Sequence, residues 1–320
     1  MAVQDWFKEN QSSFSGSLSF DEPLFRHTYY RIGGPASVFT VPKCQADIQW
    51  LNRGIRETGI PFFILGLGSN ILFPDEGYPG LIIRTNRYNL EIQASPSPKE
   101  HKLLITTGAS VPISTLLRKA SQEGWDGLEF LTGVPGSVGG AIRMNAGTHL
   151  GAVEGRLQRA DVFIIGDGVG DELKTFNRDQ FQFAYRKNLF LPEGALIWSA
   201  LWEVEKADPE QVKTKIAQIL ARRKQTQPID MPSCGSVFKN PKGQPSQTGL
   251  HAWQVIERLG LRGFQIGQAQ FSEKHCNFIV NLGSAKASDV RALIDLAKTR
   301  AKQELNITLE EEVIVITPSP

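Results

Sequence analysis

Short apolar runs alternate with longer amphipathic segments along this chain. In three long segments the apolar residues recur every three or four positions, which predicts helices at 112–123, 209–222 and 288–305. The second helix has Asp208 as its predicted N-cap and Pro209 at its first position, and the third follows a capping Ser288. The short apolar runs predict strands over residues 62–65, 81–85, 102–108, 161–166, 195–204, 277–283 and 313–316.

This mixture of strands and helices predicts an α/β or α+β protein rather than a helical bundle or a β-sandwich. The length of 320 residues exceeds what one compact core usually holds, which predicts more than one domain. The Asp-Pro pair at 208–209 follows a strong strand and opens a helix, so we place a boundary there. The predicted divisions are an N-terminal helical extension at 1–20, a larger unit at 21–207 with two lobes that split near 86–100, and a C-terminal domain at 208–320.

Composition and charge narrow the class of protein. Hydrophobic residues make up 41% of the chain and the net charge is +2, without the basic excess that is typical of nucleic-acid-binding proteins. The N-terminus lacks the apolar core of a secretion signal, and no apolar run approaches the roughly 20 residues that a membrane-spanning helix needs. We therefore predict a cytoplasmic protein that binds neither nucleic acid nor membrane. Cys44, Cys234 and Cys276 are too few and too scattered for disulfides or a metal site, so they are expected to be small buried thiols.

The first glycine-rich segment, LGLGSNILF at 65–73, directly follows the predicted strand at 62–65. Consecutive backbone N–H groups in such a turn can bind an anion, and the Ser69 hydroxyl adds a donor. The segment is not a dinucleotide fingerprint, because no third glycine follows Gly66 and Gly68 at the required spacing. A plain tight turn is the alternative to a phosphate-binding loop.

The second glycine-rich segment is LTGVPGSVGGAIRMNAG at 131–147. Glycine costs about 1 kcal/mol at a helical position, so we predict that this run is neither a regular helix nor a strand. It lacks the Gly-Lys-Ser/Thr ending of a P-loop. A bound diphosphate contacted by backbone N–H groups would offset the cost of ordering the segment. A flexible linker is the alternative, which the apolar residues Val134, Val138, Ile142 and Met144 disfavour.

Several motifs in order give the chain a specific resemblance to one family. YRIGGPA (30–36), LGLGSN (65–70), GVPGSVGGAIRMNAG (133–147), AYR (184–186) and PSCGSVFKNP (232–241) resemble the UDP-N-acetylenolpyruvoylglucosamine reductase (MurB) family of peptidoglycan synthesis. The similarity continues through residues 256–281 and LEEEV at 309–313, so it covers nearly the whole chain. The short interval after Asn240 is similar to the shorter, type II form of the family.

The resemblance implies an α+β fold, with a two-lobed FAD-binding unit of the vanillyl-alcohol-oxidase (PCMH) type and a C-terminal α/β substrate-binding domain. Non-covalent FAD is expected, because neither glycine segment contains the His or Cys that attaches flavin in some relatives of the fold. The FAD diphosphate is then expected on residues of both segments: Gly66, Gly68, Ser69, Asn70, Gly133, Pro135, Gly136, Ser137, Gly139 and Gly140.

The implied reaction is the reduction of UDP-N-acetylglucosamine enolpyruvate to UDP-N-acetylmuramate, with NADPH as co-substrate. Ser236, in CGSVFKNP, matches the family's proton donor, and Arg186 matches the arginine that pairs with the substrate carboxylate and developing enolate. Glu312 matches the C-terminal glutamate that acts with this arginine. The family residues that bind the UDP-sugar fall at Tyr185, Lys224 and Asn240. The expected enzyme is a monomer or weak oligomer.

Some points stay open at the level of the sequence. The catalytic glutamate is either Glu312 or its neighbour Glu311. The family usually continues the Tyr-Arg pair with x-Ser, whereas Lys187 and Asn188 stand here, and Gln254 is a further departure. Two alternative functions are another FAD-dependent oxidoreductase of the same fold and a catalytically silent nucleotide-sugar-binding protein.

Overall fold

The computed structural model describes residues 3–166, 172–241 and 249–317. The stretch after Asn240, on which the resemblance to the type II form partly depends, includes residues 242–248, which lie outside the described residues. The helices are α1 (Val3–Glu9), α2 (Gln45–Thr58), α3 (Ile113–Glu123), α4 (Val138–Arg143), α5 (Pro209–Thr226), α6 (Ala252–Arg258) and α7 (Ala287–Leu305). The strands are β1 (Ser17–Pro23), β2 (Pro35–Val41), β3 (Phe62–Leu65), β4 (Ile71–Leu72), β5 (Tyr78–Arg84), β6 (Ile92–Pro96), β7 (Lys102–Gly108), β8 (Trp125–Asp126), β9 (Gly147–Thr148), β10 (Gly151–Ala152), β11 (Leu157–Ile164), β12 (Lys174–Asn177), β13 (Phe183–Ala184), β14 (Lys187–Asn188), β15 (Ala195–Lys206), β16 (Ser233–Ser236), β17 (Gln265–Ile266), β18 (Ala269–Phe271), β19 (Phe278–Asn281) and β20 (Ile314–Val315).

The chain divides into two compact units. The first unit contains residues 1–21, 37–67 and 80–221, and the second contains residues 22–36, 68–79 and 222–320. Each unit has its own buried apolar core. The second unit therefore includes residues 22–36 and 68–79, which come from the N-terminal part of the chain. Their hydrophobic pattern resembles that of the neighbouring residues in the first unit, so the sequence did not indicate this division.

Two sheets form the framework of the first unit. One has the strand order β1-β2-β5-β3, with β3 parallel to β5. The other has the order β12-β11-β15-β7-β6, with β8 joined to the end of β15. The first sheet ends at Arg84 and the second begins at Ile92. Long apolar strands such as β15 pack on both faces, which is why β15 is buried along most of its length.

The second unit is built on the antiparallel sheet β16-β19-β18-β17. Helix α7 buries one apolar stripe in the core of this unit, formed by Val290, Leu293, Ile294, Ala297 and Ala301. A short parallel pair joins β4 to β20, with Ile71 opposite Ile314 and Leu72 opposite Val315. This pairing brings the end of the chain beside the segment that directly follows the first glycine turn.

Most of the elements predicted from the hydrophobic pattern are present. The helix predicted at 209–222 is the longer α5, and the Asp208 carboxylate accepts hydrogen bonds from the N–H groups of Glu210 (2.9 Å) and Gln211 (3.1 Å), as expected for its N-cap. The prediction that Ser288 caps the last helix is wrong. Ser288 lies inside α7, and the Asp75 carboxylate accepts from the N–H groups of Ala287 (2.7 Å) and Ser288 (3.0 Å). A carboxylate from a distant part of the chain thus replaces the local hydroxyl.

The three cysteines are free thiols. Cys234 and Cys276 are buried as predicted, whereas Cys44 is only half-buried because it stands just before the first turn of α2. Within the residues that the structure describes, no helix is both long enough and apolar enough to cross a bilayer.

Asp126, Glu129 and Lys215 form a charged cluster in the first unit. The Lys215 Nζ lies 2.8 and 2.9 Å from the two carboxylate oxygens of Asp126. The Glu129 Oε2 accepts from the Gly127 N–H (2.8 Å), and the buried Oε1 has no donor to accept from among the described residues. Burial, followed by the neighbouring Asp126 carboxyl, raises the pKa of Glu129 to about 7. The neighbouring Glu129 carboxyl, and then Lys215, lower the pKa of Asp126. Glu129 therefore retains a proton at weakly acidic pH.

This cluster predicts that folding stability falls as pH rises from about 4.5 to about 7. In that range the folded state holds the Glu129 proton more tightly than the unfolded chain does, so raising the pH favours unfolding. After allowance for solvent screening at this partly buried site, we expect a loss of about 1 kcal/mol. Urea unfolding of the protein between pH 5 and pH 8.5 measures it. Glu129→Gln should flatten this part of the profile, whereas Glu123→Gln, at an exposed position, should not; equal slopes in both variants would contradict the prediction.

Candidate active site

The second glycine-rich segment is folded against the residues that directly follow strand β7 in the first unit. Ser137 is the N-cap of α4, and its Oγ accepts a hydrogen bond from the Gly140 N–H (3.3 Å). Val138, Ala141 and Ile142 are buried. The N–H groups of Val138 and Gly139 donate to the carbonyl oxygens of residues 111 and 109, at 2.9 Å each. These contacts exclude the flexible-linker alternative.

The prediction that this glycine run contains no regular helix is wrong, because α4 includes Gly139 and Gly140. Packing explains why glycine is used in spite of its low helix propensity. A Cβ on Gly139 would lie 3.2 Å from the Ala109 Cβ and 3.3 Å from the Ala109 carbonyl oxygen. Glycine thus permits a close approach of helix and strand end, and the tertiary contact offsets the local cost of about 1 kcal/mol.

The two glycine segments meet at Ser137. A Cβ added at Gly66 or at Gly140 would lie 3.5 Å from the Ser137 Oγ, so the hydroxyl is flanked by both segments. Within the described part of the chain, no acceptor pairs with the backbone N–H groups of Gly66, Gly133 and Gly136. The Oγ1 of Thr132, which is buried just before Gly133, also has no hydrogen-bond partner among the residues that the structure describes. The three glycines are half-buried and Thr132 is buried, and a buried hydroxyl without a partner is rare, so this set of polar groups fits a bound diphosphate such as that of FAD.

The rest of the first glycine segment belongs to the second unit. Gly68 has φ +71°, and a Cβ there would overlap the carbonyl oxygen of His27, so only glycine fits this turn. The Asn70 Nδ2 donates to the carbonyl oxygen of Glu312 (3.0 Å), and the Ile314 N–H donates to the Asn70 carbonyl (3.0 Å). Asn70 therefore holds the C-terminal strand in place, a role that its position in a glycine loop did not indicate.

Tyr185 and Arg186 form the turn of a short hairpin in the first unit. They connect β13 to β14, in which Ala184 pairs with Lys187. Arg186 has φ +56°, and its guanidinium carbon lies 5.1 Å from the centroid of the Tyr185 ring, as in a cation–π contact. Tyr185 is exposed and Arg186 is half-buried. This arrangement presents a permanent positive charge at the tip of a hairpin.

Ser236 and the C-terminal glutamates lie together in the second unit. Ser236 ends β16, opposite Phe278 of β19, and is half-buried. The next residue, Val237, accepts a hydrogen bond from the Glu312 N–H (2.7 Å). The pairing continues with a bridge between Phe238 and Glu311. Positions that are far apart in the sequence are thus adjacent on paired backbone.

The neighbouring glutamates have different surroundings. The Glu311 carboxylate forms ion pairs with Lys298 (2.9 Å) and Arg291 (3.9 Å) of α7. The Glu310 carboxylate lies 3.6 Å from the Lys239 Nζ and is largely exposed. Glu312 is half-buried, and its backbone N–H and carbonyl are both held, by Val237 and Asn70 respectively. Of the three glutamates, Glu312 is the one whose backbone N–H bonds to the residue directly after Ser236.

The residues predicted to bind the UDP-sugar occupy separate places. Lys224 is exposed near the end of α5, and its carbonyl oxygen accepts from the Lys274 Nζ (2.6 Å). The Asn240 Oδ1 accepts from the Ala252 N–H (3.0 Å) at the start of α6. Gln254, one of the departures from the family pattern, accepts from the His251 N–H (2.8 Å) and so caps the same helix. Asn240 and Gln254 thus both fix the first turn of α6.

Three further polar side chains near Lys224 were missed by the sequence reasoning. Arg223, Gln227 and His275 each have a buried nitrogen or oxygen without a hydrogen-bond partner among the described residues. Burial, followed by the nearby charges of Arg262 and Arg223, lowers the pKa of His275. Unpaired buried polar atoms of this kind point to a polar ligand. The adjacent Lys274 and His275, in SEKHCNF, were the sequence signal that could have indicated a polar site here.

Comparisons with known proteins match one domain family in the N-terminal half of the chain and another in the C-terminal part. The model of the FAD binding domain matches residues 36–168, and the model of the UDP-N-acetylenolpyruvoylglucosamine reductase C-terminal domain matches residues 227–316. The reductase of Heliobacterium modesticaldum is 40% identical over 96% of this chain and 93% of its own length. The reductase of Syntrophobacter fumaroxidans is 38% identical over 94% of this chain and 84% of its own length.

A solved structure gives the same result. The crystal structure of UDP-N-acetylenolpyruvylglucosamine reductase (MurB) from Thermus caldophilus superposes with a TM-score of 0.75 at 31% identity, over 94% of this chain and 99% of that one. The chain belongs to the UDP-N-acetylenolpyruvoylglucosamine reductase family. The predicted family is therefore confirmed, as are the α+β fold with an FAD-binding unit and a C-terminal MurB domain, FAD as cofactor, and the class of FAD-dependent oxidoreductase.

Proposed function

We propose that this chain reduces UDP-N-acetylglucosamine enolpyruvate to UDP-N-acetylmuramate with NADPH, a step in peptidoglycan precursor synthesis. When bound, FAD supplies hydride transfer from NADPH to C3 of the vinyl ether. The observation that carries the proposal is the pairing of Glu312 with Val237, directly after Ser236. Two residues that the resemblance assigns to one reaction, from opposite ends of the C-terminal region, are thereby held side by side.

The chain's own residues manage the charge and the proton of this reaction. Hydride addition at C3 leaves an electron pair on C2, conjugated to the carboxylate. Arg186 binds that carboxylate and stabilises the enolate with a fork of N–H donors. The Ser236 hydroxyl gives its proton to C2, forming the new C–H bond, and is reprotonated by solvent. Glu312 assists at the enolate; the hydrogen bond from its N–H to Val237, directly after Ser236, supports Glu312 rather than Glu311 for this role.

Different residues bind the FAD cofactor and the UDP-sugar substrate in this proposal. Gly66, Gly133 and Gly136 hold the FAD diphosphate without a covalent bond, through backbone N–H groups that have no acceptor among the described residues. Pro135, Ser137, Gly139 and Gly140 shape this binding segment. Gly68, Ser69 and Asn70 complete this loop in our proposal, with Asn70 also bracing Glu312. Tyr185, Lys224 and Asn240 bind the UDP-sugar. The unpartnered polar atoms of Arg223, Gln227 and His275 support a polar ligand beside Lys224.

The same reasoning assigns the remaining properties. We place the enzyme in the cytoplasm as a monomer or weak oligomer, with no nucleic acid or membrane partner. The net charge of only +2 supports the absence of a nucleic-acid partner. An oxidase of the same fold would not need a proton donor to a carbanion, so Ser236, Arg186 and Glu312 together favour the reductase. A silent binding protein would not need any of the three.

One preparation tests the proposal. The purified protein should be yellow, NADPH should bleach the flavin absorbance band, and the enolpyruvyl substrate should restore it. Stopped-flow absorbance follows both half-reactions separately. A colourless protein would indicate a binding module, and bleaching without reoxidation by the enolpyruvyl substrate would indicate a different flavoenzyme.

A further inference from the structure

The hairpin that carries Arg186 is too small to hold its own conformation. Each of its strands, β13 and β14, has two residues. Even longer two-stranded hairpins are only marginally stable alone in water. The position of the Arg186 guanidinium must therefore be set by contacts that the hairpin makes with its surroundings in the first unit.

One such contact is made by Asn145, just after the end of α4. Asn145 is buried, with 3% of its surface exposed, and has φ +42°, in the left-handed region that asparagine tolerates. Its Nδ2 donates to the carbonyl oxygen of Ala184, the residue before Tyr185 (3.1 Å), and to the Glu154 Oε2 (3.1 Å). Its Oδ1 accepts from the Glu154 N–H (3.2 Å). The amide thus uses both of its N–H groups and its oxygen.

A second asparagine anchors the other strand of the hairpin. The Asn188 Nδ2 donates to the carbonyl oxygen of Ile142 in α4 (3.2 Å). Its Oδ1 accepts from the N–H groups of Phe190 (3.2 Å) and Leu191 (3.0 Å). Asn188 stands where the family usually has a serine. A serine hydroxyl offers a single N–H-accepting oxygen and one O–H donor on a shorter side chain, so the amide is the better bridge between two backbone segments.

Both asparagines connect the hairpin to the same short helix, α4. Ile142 lies in α4, Asn145 follows its last turn, and Ser137, whose hydroxyl lies beside Gly66 of the first glycine segment, is its N-cap. We propose that Asn145 and Asn188 are positioning residues that fix Arg186 relative to the cofactor-binding segment. This inference rests on the proposed function. Because misplacing a reacting group by about 1 Å costs about 100-fold in rate, two amide braces to one helix have a direct kinetic consequence.

Asn145→Gly is the sharpest test, because glycine accepts the left-handed backbone and only the amide is lost. We expect reoxidation of the bleached flavin by the enolpyruvyl substrate to slow by about 10- to 100-fold. Flavin content and the rate of bleaching by NADPH should stay within about twofold of wild type. Asn89→Gly is the matched control, because Asn89 also has a left-handed φ (+40°) and donates through Nδ2 to a carbonyl, that of Trp198 (3.0 Å), away from the hairpin.

Two further measurements keep the test decisive. Asn188→Ser should slow the same half-reaction, and it serves if Asn145→Gly does not fold. In an Arg186→Lys background, Asn145→Gly should add little further loss, since the group that it positions is already altered. Equal effects of Asn145→Gly and Asn89→Gly, or equal losses in both half-reactions, would overturn the inference. Wild-type protein that the enolpyruvyl substrate does not reoxidise would instead reject the proposed function.

Discussion

Replacing Ser236 with alanine is expected to slow reoxidation of the flavin by the enolpyruvyl substrate by about 10³-fold, within the usual range for a positioned general acid. The hydroxyl is the proposed proton source for C2, and methyl cannot replace it. Bleaching of the flavin band by NADPH should change by no more than about twofold, since that step needs no proton at C2. Stopped-flow absorbance of the two half-reactions gives both values.

Ser233→Ala is the control for this prediction. Ser233 lies on the same strand, β16, and is also half-buried, but it pairs with Val280 and lies away from Glu312. Its replacement should leave both half-reactions nearly intact. If Ser236→Ala slowed the NADPH step as much as the substrate step, the loss would come from a damaged site, and Ser236 would not be the proton donor. Solvent deuterium should slow only the substrate half-reaction in wild type.

Replacing Arg186 with glutamine should lower kcat/KM for the enolpyruvyl substrate by about 10²- to 10³-fold, because hydrogen bonds to charged groups contribute about 1.5–3 kcal/mol each. Both KM and kcat should respond, since the guanidinium meets the carboxylate in the ground state and the enolate in the transition state. Arg186→Lys should lose less, because it keeps the charge but not the planar fork. Steady-state kinetics at saturating NADPH measures the split.

The adjacent Lys187 is the natural control. It is exposed at the start of β14, so Lys187→Gln removes a neighbouring positive charge without changing the turn. We expect a change of less than about threefold, as for a screened surface charge. If Lys187→Gln matched Arg186→Gln, the effect would be long-range attraction of an anionic substrate rather than a specific pairing. A wild-type KM in Arg186→Gln would also exclude carboxylate binding by Arg186.

Much of the local structure followed from the chain itself. The period of the apolar residues located α3 and α5, and Asp208 capped α5 as its position predicted. Apolar runs located β3 and β7 at the predicted residues. These features depend on neighbours within one turn or one strand, so the sequence contains nearly all of the relevant contacts.

The failures have a common physical cause. Ser288 lost its capping role to the Asp75 carboxylate, and Gly139 sits in a helix because Ala109 packs against it. In each case a group from a distant part of the chain outweighed a local preference of about 1 kcal/mol. A distant partner also adds to what the sequence indicated at Asn70, whose side chain donates to the carbonyl oxygen of Glu312.

By itself the sequence determined the family, the cofactor and which residues are the catalytic candidates, because ordered motifs and apolar periodicity are properties of the sequence alone. Only the tertiary structure showed that the Glu311 carboxylate pairs with α7, whereas the Glu312 N–H bonds to Val237, directly after Ser236. It also showed that Asn145 and Asn188 join the hairpin of Arg186 to α4 and the residues that follow it. Those facts are long-range hydrogen bonds and ion pairs, whose partners are chosen by the packing of distant segments and by no local pattern.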